Sequence, residues 1–201
     1  MRIWSIILAA GRGERVGGPK ALLAAGGETF LARCVRLLHP ASVQSVVAVV
    51  GHEAERVVRE AGLPADVRVV TNAQYAQGML TSICAGLDAA EAAGADAVLV
   101  HPVDHPLVEM ETVERVLDAL EAGAVIAVPS HQRRRGHPAG FARAAWAALR
   151  LAPPEEGARA VLAAHPEWIV HVEGGPGCRA GVNTPEDYRR LIGESNSFQN
   201  G

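Results

Sequence analysis

Excess charge of either sign is missing from this chain: 19 Lys and Arg stand against 22 Asp and Glu in 201 residues, a net charge of −3. A nucleic-acid-binding surface normally carries a strong basic excess that neutralises phosphates, and the short Arg133-Arg134-Arg135 run is too small to supply one. Also absent is any apolar stretch approaching the roughly 18 residues of a membrane span, and the N-terminus reads as a strand rather than a cleavable signal. No nucleic-acid partner, no membrane and a cytoplasmic setting are expected. Cys34, Cys84 and Cys178 are odd in number, far apart and lack a C-x-x-C pair, so they fit buried thiols better than disulfides or a zinc site. With no internal repeat and no linker, one domain over residues 1–194 is expected, followed by a disordered polar tail over 195–201.

What the chain does have is apolar material: 49% of its residues are hydrophobic, enough for one sizeable core. Short apolar runs at Ile3 to Leu8, Val46 to Val50, Val67 to Val70, Ala97 to Val100, Val125 to Val128 and Trp168 to Val172 read as strands. Helical spacing occupies Thr29 to Leu38, His52 to Glu60, Leu80 to Ala93, Glu109 to Ala122, Phe141 to Leu151, Glu155 to Ala164 and a last helix from Pro185. Thr184-Pro185-Glu186-Asp187 gives that last helix a hydroxyl cap, a proline at its first position and two acids in its first turn. Strands alternating with helices predict an α/β fold, three-layered and Rossmann-like, around a mostly parallel central sheet. Such sheets bind ligands at the carboxyl ends of their strands. The polar stretches Gly11 to Lys20, Thr71 to Thr81 and His101 to Pro106 each follow a predicted strand and are expected to meet there.

The first of these stretches is the most informative. Leu8-Ala9-Ala10-Gly11-Arg12-Gly13-Glu14-Arg15-Val16-Gly17-Gly18-Pro19-Lys20 sets backbone N–H groups and cations where a polyphosphate can sit. It is not a dinucleotide fingerprint, because Gly11-x-Gly13 has no glycine three residues on. It is not a P-loop, because Lys20 is followed by Ala21. Arg12, Arg15 and Lys20 suit the roughly four charges of a triphosphate better than the two of a dinucleotide bridge. The plain alternative is a solvated turn.

Asp104, just after the strand ending at Val100, is the metal candidate: a hard carboxylate helped by phosphate oxygens and water is what Mg²⁺ prefers. It stands too far upstream to cap the helix near Glu109. A rival reading gathers His101, Asp104, His105 and His137 around zinc. Asn183 offers a neutral oxygen to a metal or its NH₂ to a phosphate, although Asn before a Thr-Pro helix start is commonly a turn residue. In Gly136-His137-Pro138 the glycine permits close approach to a substrate, and His137 taken alone is more often structural.

Together, Leu8-Ala-Ala-Gly11-x-Gly13-x-Arg15-x-Gly17 with Lys20, Gly78-Met79-x-x-Ser82, Asp104-x-Pro106, Gly136-His137-Pro138, Gly157-Ala158-Arg159 and Asn183-Thr184-Pro185-Glu186-Asp187 resemble the MobA-like nucleotidyltransferases over residues 3 to 192. Within them the chain is most similar to the molybdenum cofactor cytidylyltransferase branch. The resemblance implies triphosphate binding by Leu8, Ala9, Ala10, Gly11, Arg12, Gly13 and Lys20, with Gly78, Ser82 and His137 completing the binding set. It implies catalytic roles for Arg15, Lys20 and Asp104, and Mg²⁺ on Asp104 with Asn183. Ala10 points to CTP, whereas Asn183, where cytidylyltransferase-like members carry Asp, points to GTP. Val16 replaces a usual Met, and Glu155-Glu156 replaces a usual Gly-Asp. The implied reaction moves a nucleoside monophosphate onto a phosphorylated acceptor, molybdopterin first and a sugar phosphate second, with Arg133, Arg134 and Arg135 as candidate acceptor grips. A nucleotide-binding module without turnover and a zinc hydrolase are the readings from other classes.

Overall fold

Alternation along β1 (Ile3–Ala9) organises the molecule. Ile3, Ile7 and Ala9 join the core on one face of the sheet, and Trp4, Ile6 and Leu8 join the core on the other. Ser5, the polar residue of this buried strand, donates its hydroxyl hydrogen to Leu38 O at 2.6 Å. The structure, a computed structural model, describes residues 1–193; the tail expected from Ser195 lies outside them.

Ten strands are described: β1, β2 (Ala24–Ala25), β3 (Glu28–Thr29), β4 (Val43–Val50), β5 (Arg68–Thr71), β6 (Ala97–Pro102), β7 (Ile126–His131), β8 (Arg134–Arg135), β9 (Ala139–Ala142) and β10 (Ile169–Glu173). The helices are α1 (Phe30–Leu37), α2 (Ala54–Glu60), α3 (Met79–Ala92), α4 (Met110–Glu121), α5 (Trp146–Leu151), α6 (Ala158–Ala164) and α7 (Pro185–Tyr188). The main sheet runs β10-β7-β9-β6-β1-β4-β5, with β8 hanging on β7 and β2-β3 forming a separate hairpin. β1 pairs in parallel with β4 on one side and β6 on the other. The chain therefore leaves the central strand in both directions, and the crevice at its carboxyl end lies at a topological switch point.

Helices cover both faces. Phe30, Leu31, Cys34 and Val35 of α1 and Val113, Val116, Leu117 and Leu120 of α4 fill one core. Leu80, Ile83, Leu87 and Ala90 of α3, with Trp146 and Leu149 of α5, fill the other. Each Leu, Ile, Val or Phe among them removed from water contributes about 1.5–3 kcal/mol. The three-layer, mostly parallel α/β architecture expected from the sequence is present. The cysteines are unpaired, with Cys34 and Cys178 buried and Cys84 partly so.

One expectation fails between β8 and α5. The apolar spacing predicts helix from Phe141, but Phe141 belongs to β9, which runs antiparallel between β6 and β7. The helix begins at Trp146, after a 3-10 turn over Arg143–Ala145. Gly140 gives the reason: a Cβ there would lie 2.9 Å from Leu120 Cδ1 and Val116 Cγ1, so α4 presses directly on this strand's backbone. The glycine was the available signal, outweighed by the alanine-rich run that follows. Elsewhere the ends shift by a few residues, as at α2, which starts at Ala54, and α6, which starts at Ala158.

Candidate active site

Lys20 Nζ stands at the centre of the crevice, donating to Asp104 Oδ2 at 2.8 Å and to Asn183 Oδ1 at 2.7 Å. Three distant segments thus meet at one ammonium. Lys20 opens a 3-10 turn after the glycine-rich loop. Asp104 follows β6, where Val103 N is tied to Leu8 O at 3.1 Å. Asn183 precedes α7, whose capping box is complete: Asp187 N donates to Thr184 Oγ1, and Asp187 Oδ2 accepts from the backbone N–H groups of Asn183 and Thr184. Asn183 is accordingly more than a turn residue.

The loop is shaped by Gly13, whose φ is +63°. A Cβ on Gly13 would fall 1.9 Å from Gly18 O, so only glycine lets the loop fold back on itself. Gly13 O accepts from Val16 N at 2.9 Å and from Gly18 N at 3.3 Å. Arg12 and Arg15 stay exposed; Arg12 reaches only Glu14 at 3.4 Å, and Arg15 forms no ion pair among the described residues. Arg15 is thus unpaired among the described residues, and Arg12 is held only by an exposed contact to Glu14 that an anionic ligand can displace.

A cavity of about 500 Å³ lies between loop and carboxylate. Leu8, Ala9, Ala10, Gly11, Arg12, Gly13, Arg15, Lys20, Ser82, Asp104 and Asn183 all line it. Gly78 and His137 line a second cavity of about 820 Å³ instead, which shares the wall of Leu8, Met79 and Pro102 with the first. That second cavity has an apolar floor of Ile83, Val100, Val128, Phe141 and Leu162, and Arg135, Arg159, Glu155 and Glu156 also line it. Of the three consecutive arginines only Arg135 lines it; Arg133 sits at the hairpin tip, where Gln132 and Arg133 have φ of +51° and +62°, and Arg134 pairs with His131 beside it.

Electrostatics single out Asp104. Burial alone would raise its carboxyl, but the hydrogen bond and charge of His105, then those of Lys20, hold it well below the usual carboxylate range. It is an anion at every working pH. His137 moves oppositely to a charged partner: burial, followed by the charge of His105, pushes its ring down to about 3. His101, buried and beside both other rings, is also held well below the ordinary value. The zinc reading fails on geometry. His101 Nε2 donates to His105 O at 3.0 Å and His105 Nδ1 to Asp104 Oδ1 at 2.8 Å, and no three His, Cys, Asp or Glu side chains among the described residues are placed to hold a metal ion.

Sequence reasoning missed Tyr75 and Asn72. Tyr75 lines the first cavity and packs over Gly51, where a Cβ would lie 2.8 Å from the ring and 2.9 Å from Ala10 Cβ. Asn72 is buried and donates to Thr81 Oγ1 at 2.8 Å and Ser82 Oγ at 3.0 Å, fixing the start of α3. The asparagine just after a strand was the available sign.

The model of the MobA-like NTP transferase domain matches residues 5–168. A molybdenum cofactor guanylyltransferase of Cereibacter sphaeroides is 36% identical over 128 residues, 63% of each chain, so the match spans under two thirds of that relative. One from Rhodobacter capsulatus is 30% identical over 199 residues, covering 94% of this chain and 95% of the relative. A 2-C-methyl-D-erythritol 4-phosphate cytidylyltransferase of Streptomyces avermitilis is 37% identical over 138 residues, 64% of this chain and 54% of the relative. Among solved structures, a Mycobacterium tuberculosis protein in complex with manganese superposes with a TM-score of 0.73 at 25% identity, covering 96% of this chain and 99% of that one. Loop, carboxylate, fold and family match together place the chain in the MobA-like NTP transferase domain family.

Proposed function

We propose that the protein is a nucleotidyltransferase that moves a nucleoside monophosphate from a triphosphate to a phosphorylated acceptor and releases pyrophosphate. The observation that carries this reading is the convergence of Lys20 on Asp104 and Asn183, opposite a folded-back loop bearing the exposed arginines Arg12 and Arg15. An acceptor phosphate oxygen forms a bond to the α-phosphorus while the bond to the pyrophosphate oxygen breaks. The acceptor phosphate is already ionised, so the protein supplies no nucleophile. Its task is alignment and neutralisation of the charge that builds on the leaving oxygens.

Each chain residue has a part in that task. The Gly11–Gly13 backbone and Arg12 hold the triphosphate, Arg15 and Lys20 neutralise its oxygens, and Ser82 and Ala9 bound the nucleoside end of the cavity. Asp104 Oδ2 and Asn183 Oδ1 fit a divalent cation, because two hard oxygens already converge within 2.8 Å of one cationic nitrogen. Magnesium bound there adds charge neutralisation to the phosphates, and the manganese in the mycobacterial structure supports a divalent ion for the fold.

The donor proposed is CTP. This follows the resemblance of Leu8-Ala9-Ala10-Gly11 to the pyrimidine-using members; GTP is the competing donor, supported by the neutral Asn183 and by the guanylyltransferase relatives. The acceptor proposed is molybdopterin, because the apolar floor of the second cavity suits a flat heterocycle better than a polyol phosphate. Pyrophosphate release measured across four triphosphates, with molybdopterin and methylerythritol phosphate as acceptors and Mg²⁺ present, tests the reading. Release with CTP and molybdopterin is expected, and no release from any pairing would overturn it.

A further inference from the structure

His105 lines neither cavity, yet its half-buried ring abuts the Asp104 carboxylate that does. Its Nδ1 donates to Asp104 Oδ1 at 2.8 Å, while Lys20 takes the other oxygen, Oδ2. Backbone and ring of His105 are both constrained by their neighbours. His101 Nε2 donates to the His105 carbonyl at 3.0 Å, and the His137 ring stands edge-on with centroids 4.7 Å apart. A Cβ on Gly181 would lie 3.1 Å from His105 Nε2, so glycine leaves room for the ring and little more. The same segment is tied down by Val182 N donating to Asp104 O at 2.8 Å.

We propose that His105 is a positioning residue that occupies Oδ1 of Asp104 and thereby presents Oδ2 alone, in one orientation, to the cation site. This inference rests on the nucleotidyl-transfer reading above. A carboxylate turns readily about its last torsion, and a donor locked on one oxygen removes that freedom. Groups that hold a metal ligand in this way change metal affinity by about 10–100-fold when lost. The ring's packing is not the working part; the Nδ1–H is.

Two substitutions separate donor from ring. His105→Asn keeps an N–H near the Nδ1 position and discards the ring; His105→Phe keeps the ring and discards the donor. Mn²⁺ binding to the whole protein without nucleotide is followed by electron paramagnetic resonance, alongside pyrophosphate release and circular dichroism. The expected result is a Mn²⁺ affinity within about threefold of wild type for Asn and about 10–100-fold weaker for Phe. Equal affinity in both variants, equal loss in both with the fold intact, or loss in Asn alone would overturn the proposal. Should Phe fail to fold, His105→Leu, which lacks both donor and ring, takes its place with the same expected loss. If wild type itself binds no Mn²⁺, the underlying reading fails; if it binds and turns over while Phe matches it, only the positioning role fails.

Discussion

Replacing Lys20 by Met keeps the length of the side chain and removes its charge. The ammonium lies 2.8 Å from Asp104 Oδ2, with the two side chains only 17% and 19% exposed. At an effective dielectric near 20 that separation corresponds to about 6 kcal/mol of gross attraction, of which desolvation leaves a few. Two consequences of opposite sign follow. Turnover falls by about 10²–10³-fold, because a cation aimed at developing phosphate charge is gone. Divalent-cation affinity in the absence of nucleotide rises by about tenfold or more, because Asp104 Oδ2 and Asn183 Oδ1 no longer hold a competing ammonium. Mn²⁺ titration followed by electron paramagnetic resonance reads the second effect, and a pyrophosphate assay reads the first. A Lys20→Met protein that binds Mn²⁺ no more tightly than wild type refutes the idea that ammonium and metal share those oxygens.

Gly13→Ala places a methyl 1.9 Å from Gly18 O in a backbone of positive φ, so nucleotide affinity by calorimetry should fall by more than tenfold while the melting temperature moves little. Arg135→Ala should raise the acceptor KM several-fold, whereas Arg133→Ala and Arg134→Ala, which line neither cavity, should leave it unchanged. For His137 the sign is set by a folded-state value of about 3 against an ordinary 6.5. Its contribution is fully present above pH 6.5 and is lost as pH falls toward 3, at up to about 1.4 kcal/mol per pH unit. His137→Gln should flatten that acid-side decline in urea unfolding between pH 6.5 and 4.5; an unaltered slope would count against the buried neutral ring.

Much of the site is legible before any coordinates. Asp104 follows β6 at once and Lys20 closes the glycine-rich loop that follows β1, and a parallel sheet sends the loops after such strands to the same edge. Ile3 to Leu8 and Val46 to Val50 announce themselves by continuous apolar runs, as strands covered on both faces do. The reversed strand at Ala139–Ala142 does not, because alanine and phenylalanine satisfy either period and only Gly140 betrays the close approach of α4. His105 is a different kind of miss. Its neighbour in sequence is its hydrogen-bond partner, and no spacing rule distinguishes a histidine that supports a carboxylate from one that ligates a metal. Asn72 and Tyr75 are unread for a related reason: one bonds Ser82 and the other covers Gly51, which depends on contacts that composition does not encode.

The strand that runs against its neighbours has a consequence for how this scaffold diversifies. Because β9 enters the sheet from the carboxyl edge of β6 and β7, the stretch from Val128 to Leu162 furnishes walls to the larger cavity and none to the smaller. One half of the crevice can drift toward new partners through that stretch while the other keeps its phosphate grip. Leu8, Met79 and Pro102, common to both, are the positions where such drift is answerable to two ligands at once.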